Sequence, residues 1–149
     1  MITSKDKILL KKLQPEFPLA SRPFAVLAEQ AGLSEKDMIA AFKRLQKEKI
    51  LRYIAPMFDM RKLSIVSSLI AMRVPLNKQK KAVQVINAYP NVSHNYLRAG
   101  EYNVWFTVSA ASERKLKRIL SDIRKKTGID AMLDLKTRKV FKSRAVFDL

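Results

Sequence analysis

Cysteine is absent from this chain. That excludes a disulfide, a thiolate nucleophile and any Cys-ligated metal. Histidine occurs once, as His94, so neither a Cys–His dyad nor a multi-histidine zinc site can be assembled within the chain. The three glycines, Gly32, Gly100 and Gly128, are widely spaced, which removes a Gly-rich phosphate loop from consideration. No Gly-x-Ser-x-Gly elbow is present, although counting alone leaves a Ser–His–Asp set open. With few glycines and prolines there is little room for flexible linkers. No apolar run approaches the roughly 18 residues of a membrane span. The opening Met1-Ile2-Thr3-Ser4-Lys5-Asp6 lacks the apolar core of a signal peptide. The expectation is a cytoplasmic protein with no membrane association and no protein-bound metal.

What the chain does have is positive charge. Its 149 residues are 48% hydrophobic and 29% charged, with a formal net charge of +17. The length suits one domain or two small ones. An imbalance of this size speaks about partners rather than fold. It favours a polyanion: nucleic acid, an anionic surface, or a small molecule with many carboxylates or phosphates. A merely solubilising surface is the bland alternative.

The first sixty residues carry helical signals. Thr3 or Ser4 can cap a helix bearing Ile8, Leu9 and Leu13, ended by Pro15-Glu16-Phe17-Pro18. Ser21 is placed to cap a second helix, with Pro23 in its first turn and Gly32 past its end. Ser34 with Asp37 resembles a capping box for a third helix, whose stripe is Met38, Ala41, Phe42 and Leu45. Ile50–Ile54 and Met57–Phe58, split by Pro56, read as a small hairpin. Together these predict a winged helix-turn-helix. The second half changes period. Strands are expected over 65–74, 92–98, 102–108 and 129–135, with helices over 78–88, capped by Asn77, and after Ser112, closed by Gly128. Ala99-Gly100-Glu101 reads as a three-residue hairpin loop. The fold class is therefore α+β: an N-terminal winged helix-turn-helix over residues 1–61, then a ferredoxin-like βαββαβ domain over 62–149. A last β-like stretch, 140–147, reads as an added edge strand.

His94, Tyr96 and Arg98 share one face of a predicted strand. The hairpin brings Tyr102, Asn103 and Trp105 close by. A proton donor, a phenol and a guanidinium on one face can bind and protonate an anion, and histidine suits the donor role because it titrates near neutral pH. The residues alone also allow a second reading, in which His94 is a satisfied sheet residue. The helix-turn-helix points to DNA, but the third helix opens with Glu35 and Asp37. Acidic side chains suit a helix N-terminus and are repelled by phosphates, so DNA is the weaker expectation.

The layout resembles the leucine-responsive/asparagine (Lrp/AsnC) regulators, with Gly100-Glu101-Tyr102-Asn103 standing where that family has Gly-x-Tyr-Asp. It is more similar to one branch, the siroheme decarboxylases. The similarity is carried by Val92-Ser93-His94-Asn95-Tyr96-Leu97-Arg98 and Glu101-Tyr102-Asn103-Val104-Trp105-Phe106-Thr107. Phe17-Pro18-Leu19, Arg22-Pro23-Phe24 and Phe58-Asp59-Met60-Arg61-Lys62-Leu63 also match. The resemblance implies an enzyme that removes carbon dioxide from two acetate side chains of siroheme, giving didecarboxysiroheme in alternative haem or haem d1 biosynthesis. It implies no separate cofactor, since the substrate is itself an iron tetrapyrrole rich in carboxylates. It makes His94 the proton donor with Tyr96 assisting, and Arg98, Tyr102, Asn103, Trp105, Arg61 and Lys62 the substrate-binding set. Several family members are expected to carry a second histidine in the hairpin loop, where this chain has Ala99-Gly100, so the resemblance also implies a related subunit, as a heterodimer, or else a homodimer. An Lrp-type regulator and a haem-binding sensor are the other readings.

Overall fold

A computed structural model describes residues 2–14, 16–56, 58–143 and 145–148. It divides into two compact units, one of residues 1–56 with 142–149, the other of residues 57–141.

The first unit holds three helices: α1 (Ser4–Leu13), α2 (Pro23–Ala31) and α3 (Glu35–Lys47). Their ends follow from local chemistry. The Thr3 hydroxyl accepts from the Asp6 N–H while the Asp6 carboxylate accepts from Thr3, a reciprocal capping box. Ser34 Oγ accepts from the Asp37 N–H at 3.1 Å, and Gly32 ends α2 at φ 63°, a left-handed conformation that glycine adopts without steric cost. Ser21 is not the cap of α2. Arg22 occupies that position without a side-chain hydrogen bond, and Pro23 stands at the first helical residue. Leu9, Leu27, Ala28, Met38 and Leu45 form the core. Asp6 is fully buried and pairs with Arg44, which also reaches Glu48 at 3.2 Å.

Among the described residues the expected wing is not formed. Residues 50–56 carry no strand, Met57 lies outside the described residues, and Tyr53, Ile54 and Phe58 are exposed. A lone two-stranded hairpin is marginal, and Pro56 has no N–H to give a ladder. Nor do the described residues of 140–147 add an edge strand. Instead the tail joins the helical unit: the Gln14 side chain donates to the Phe147 carbonyl at 3.0 Å and accepts its N–H at 2.5 Å. The domain limits of 1–61 and 62–149 therefore differ from the compact units at both ends of the second domain.

The second unit runs β1 (Val66–Met72), a 3₁₀ turn (Leu76–Lys78), α4 (Gln79–Asn87), β2 (Val92–Leu97), β3 (Val104–Ala110), α5 (Glu113–Thr127) and β4 (Met132–Lys136). This is βαββαβ, with an antiparallel sheet in the order β2-β3-β1-β4. Ser112 caps α5 and Gly128 closes it. Asn77 does not cap α4, which is entered through the 3₁₀ turn after Pro75. One sheet face packs Ile70, Met72, Val104, Phe106 and Val108 against Ala82 and Ile86 of α4 and Leu116, Leu120 and Ile123 of α5. Fully burying each of the Val, Leu, Ile, Met and Phe side chains contributes about 1.5–3 kcal/mol. The opposite sheet face is the more open one: among its described residues Leu69, Leu133 and Leu135 stay partly exposed, while Ala71 between them is buried.

Candidate functional site

Strand register places the candidate side chains. Tyr96 pairs Trp105, which pairs Ala71, which pairs Leu133; His94 pairs Thr107, which pairs Leu69, which pairs Leu135. Neighbouring strands lie about 4.8 Å apart, so these residues form two adjacent rungs across the open face. Leu69, Leu133 and Leu135 are each 40–41% exposed and Tyr96 is 54% exposed. An aromatic and aliphatic floor with polar groups at one edge results.

A β-bulge sets which way His94 points. Val92 pairs Val108 on the core side, and His94 pairs Thr107 on the open side, with Ser93 the extra residue. Two β2 residues thus oppose one β3 residue, which reverses the alternation. Ser93 Oγ lies 3.0 Å from His94 Nδ1. Nε2 makes no hydrogen bond among the described residues and is the nitrogen left for a ligand. Ser93 was not among the sequence candidates, since the bulge exists only in the pairing of β2 with β3.

The rings of His94 and Tyr96 stack at 6.1 Å between centroids. The Arg98 guanidinium lies 6.0 Å from the Tyr96 ring and 5.9 Å from the Trp105 ring. Such cation–π contacts hold the group while leaving its N–H donors for a carboxylate. His94, Tyr96, Trp105 and Arg98 are therefore brought together as expected. Tyr102 sits in the hairpin turn, where its carbonyl accepts the Trp105 indole N–H at 2.7 Å. That turn is longer than three residues: Leu97 pairs Val104, and Arg98 N–H donates to the Asn103 carbonyl at 2.8 Å.

Three candidates are placed differently. The Asn103 side chain accepts the Val74 N–H at 2.9 Å and donates to the Val74 carbonyl at 2.8 Å. Its amide is thus committed to backbone. Arg61 and Lys62 lie in the turn before β1, whose first residue, Val66, pairs Ala110. That is the end of the sheet away from Arg98. Arg61 pairs with Asp59 at 3.2 Å, and its guanidinium holds the Asp59 carboxyl below the usual range. The structure does not bring either residue to Arg98.

Much of the positive charge also lies off this face. On α5, seven basic residues, among them Arg114, Lys117, Arg118 and Lys125, face only Glu113 and Asp122, and this helix covers the other side of the sheet. There Lys126 and Tyr89 bond Asp122, whose carboxyl is held low by Lys126 first and Tyr89 second. Among the described residues no helix is long and apolar enough to cross a membrane. Nor is any group of three or more His, Asp or Glu side chains placed to hold a metal ion.

Comparison with known proteins places this geometry. A family model described as an AsnC-like ligand binding domain matches residues 62–142, and one described as a siroheme decarboxylase NirDL-like HTH domain matches residues 6–52. The AsnC of E. coli superposes with a TM-score of 0.81 over 98% of this chain and 98% of that one, at 18% identity, a likeness of fold alone. A helix-turn-helix unit followed by an AsnC-like ligand-binding domain is thus the class of protein. Within it, the siroheme decarboxylase alpha subunit of Desulfovibrio desulfuricans is 40% identical over 144 residues, covering 97% of this chain and 83% of the relative. The siroheme decarboxylase NirD subunit of Stutzerimonas stutzeri is 32% identical over 148 residues, 99% of this chain and 96% of the relative. The crystal structure of the siroheme decarboxylase NirDL with an iron-uroporphyrin III analogue matches with a TM-score of 0.74 at 30% identity, over 97% of this chain and 48% of that chain. The chain belongs to the siroheme decarboxylase family.

Proposed function

We propose that the chain is a siroheme decarboxylase subunit that converts two acetate side chains of siroheme to methyl groups, giving didecarboxysiroheme. The observation that carries this reading is the open-face cluster: His94, Tyr96 and Trp105 stand over an apolar floor, with Arg98 stacked on two of them. A flat macrocycle rimmed with carboxylates fits a wide apolar floor with a cation at its edge.

In this reading Arg98 clamps a carboxylate that is retained and so orients the ring. The apolar rungs keep the departing carboxylate in a drier setting than bulk water. The bond between the acetate methylene and its carboxyl carbon breaks, and carbon dioxide leaves. The electron pair passes into the tetrapyrrole framework and ends in a new C–H bond, for which His94 Nε2 supplies the proton. Each acetate thus takes up one proton and releases one carbon dioxide, with no redox partner or separate organic cofactor. Tyr96, stacked on His94, steadies the imidazole. Tyr102 and Trp105 shape the same edge. Arg61 and Lys62 take no part in the clamp. The wider assignment is to alternative haem or haem d1 biosynthesis, in the cytoplasm.

A related second subunit completes the enzyme. Relatives bear the names alpha subunit and NirD subunit, and the chain spans about half of NirDL. With one histidine in the chain, a second histidine for a proton relay must come from that partner.

The test is anaerobic incubation of the purified chain with siroheme, alone and with its related subunit, followed by mass spectrometry. Loss of two carboxyl groups is expected. Tight binding with no mass change in either condition would leave a haem-binding sensor as the better reading.

A further inference from the structure

Asn103 makes four hydrogen bonds that close on one another. Its side chain takes both polar backbone groups of Val74, as acceptor at 2.9 Å and donor at 2.8 Å. Its own N–H donates to the Met72 carbonyl at 3.0 Å, and its carbonyl accepts the Arg98 N–H at 2.8 Å. Val74 is 1% exposed, so without Asn103 its N–H and carbonyl would be poorly hydrated, a costly arrangement. A single residue therefore joins the end of β1 to the hairpin turn and to the backbone of Arg98. Arg73 and Glu101 tie the same turn at 2.8 Å, but both are largely exposed, and such a pair contributes little.

We infer that Asn103 is a positioning residue, which holds the Arg98 guanidinium against Trp105 so that it meets a substrate carboxylate. The inference rests on the decarboxylase reading and assigns Asn103 a role other than touching the substrate. The chemistry requires an amide. An aspartate at 103 would still accept the Val74 N–H, but it could not donate to the Val74 carbonyl and would set a negative charge against it.

Trp105 is the only tryptophan in the chain, so its emission reports the turn directly. The experiment compares wild type, Asn103→Ala, Asn103→Asp, Arg98→Ala and the Asn103→Ala/Arg98→Ala double variant in the full chain. It measures iron-uroporphyrin affinity, Trp105 emission and iodide quenching, and the melting temperature. Both Asn103 variants should weaken affinity by about tenfold, the scale of one hydrogen bond to a charged group, and both should red-shift Trp105 and increase its quenching. In the Arg98→Ala background, Asn103→Ala should change affinity less than twofold, because coupled residues are non-additive. Fully additive losses would overturn the inference, as would a lowered melting temperature with affinity and Trp105 emission unchanged. If wild type binds no iron-uroporphyrin, alone or with its related subunit, the decarboxylase reading fails at that step. The Trp105 measurements then decide the clamp alone: a shift in both Asn103 variants upholds it, and unchanged emission overturns it.

Discussion

Val92 and His94 stand two residues apart in β2, yet they face opposite sides of the sheet. In a regular strand they would share a face, and an imidazole would enter the core beside Phe106. The bulge at Ser93 sends Val92 to the core and His94 to the open face. Bulges recur beside functional sites because they re-aim one side chain without disturbing the rest of the ladder.

Replacing His94 by alanine tests its role as proton donor. The variant should bind siroheme within a few-fold of wild type and lose about 10²- to 10⁴-fold in turnover, the usual contribution of a positioned acid or base. Rapid-quench assays under anaerobic conditions, with binding titrated separately, give both numbers. Unchanged turnover with intact binding would remove His94 from the mechanism.

Arg98 should act mainly on affinity. Arg98→Ala should raise the dissociation constant for siroheme about 10- to 100-fold, in line with about 1.5–3 kcal/mol for hydrogen bonds to charged groups. Arg98→Lys should recover only part of that, since an ammonium neither forks onto a carboxylate nor stacks as a plane on Tyr96 and Trp105. Full recovery by lysine would show that charge alone matters.

The helical unit should be sensitive to acid through Asp6. Burial pushes the Asp6 carboxyl up, but hydrogen bonds from the Thr3 hydroxyl and N–H and from Arg44 outweigh it and hold it below the ordinary value. A carboxyl depressed on folding stabilises the fold above its unfolded value, near 3.9. That stabilisation is lost as the pH falls through the lower folded value. Melting followed by circular dichroism should therefore fall steeply below about pH 4 in wild type. Asp6→Asn should be less stable at neutral pH and flatter across that window. Parallel acid profiles for the two proteins would contradict this account.

DNA binding should be weak and indifferent to sequence. Arg22 is paired to Glu35, and Arg44 to Asp6 and Glu48, so these two arginines of the helix-turn-helix are already occupied. Duplex affinity should drop steeply with salt and differ little between random sequences. A site bound about 10³-fold more tightly than random DNA would restore the regulator reading.

Local signals explain what was legible in the sequence. Thr3, Ser34, Ser112, Gly32 and Gly128 cap the helices that their positions announce, and the change of period after residue 64 marks the βαββαβ half. The β-like stretches at 50–54 and 140–147 misled because strand propensity counts only where a neighbouring strand exists. Ser93 was hidden because a bulge lies in the pairing of two strands, which one strand's pattern does not contain. Asn103 read as a ligand group for the same kind of reason: its partner is the backbone of Val74, twenty-nine residues earlier, and backbone atoms leave no mark in a sequence.

The open sheet face has a kinetic consequence. Rungs from Tyr96 to Leu133 and from His94 to Leu135 make one wall, and a wall alone does not shut out water. In the proposed two-subunit enzyme the other half of the enclosure comes from association, and its supply obeys mass action. Specific activity should fall as the protein is diluted, with a midpoint at the dissociation constant of the assembly. Titrating in the second subunit should restore it along a saturating curve, so the enzyme's rate would itself measure how much of it is assembled.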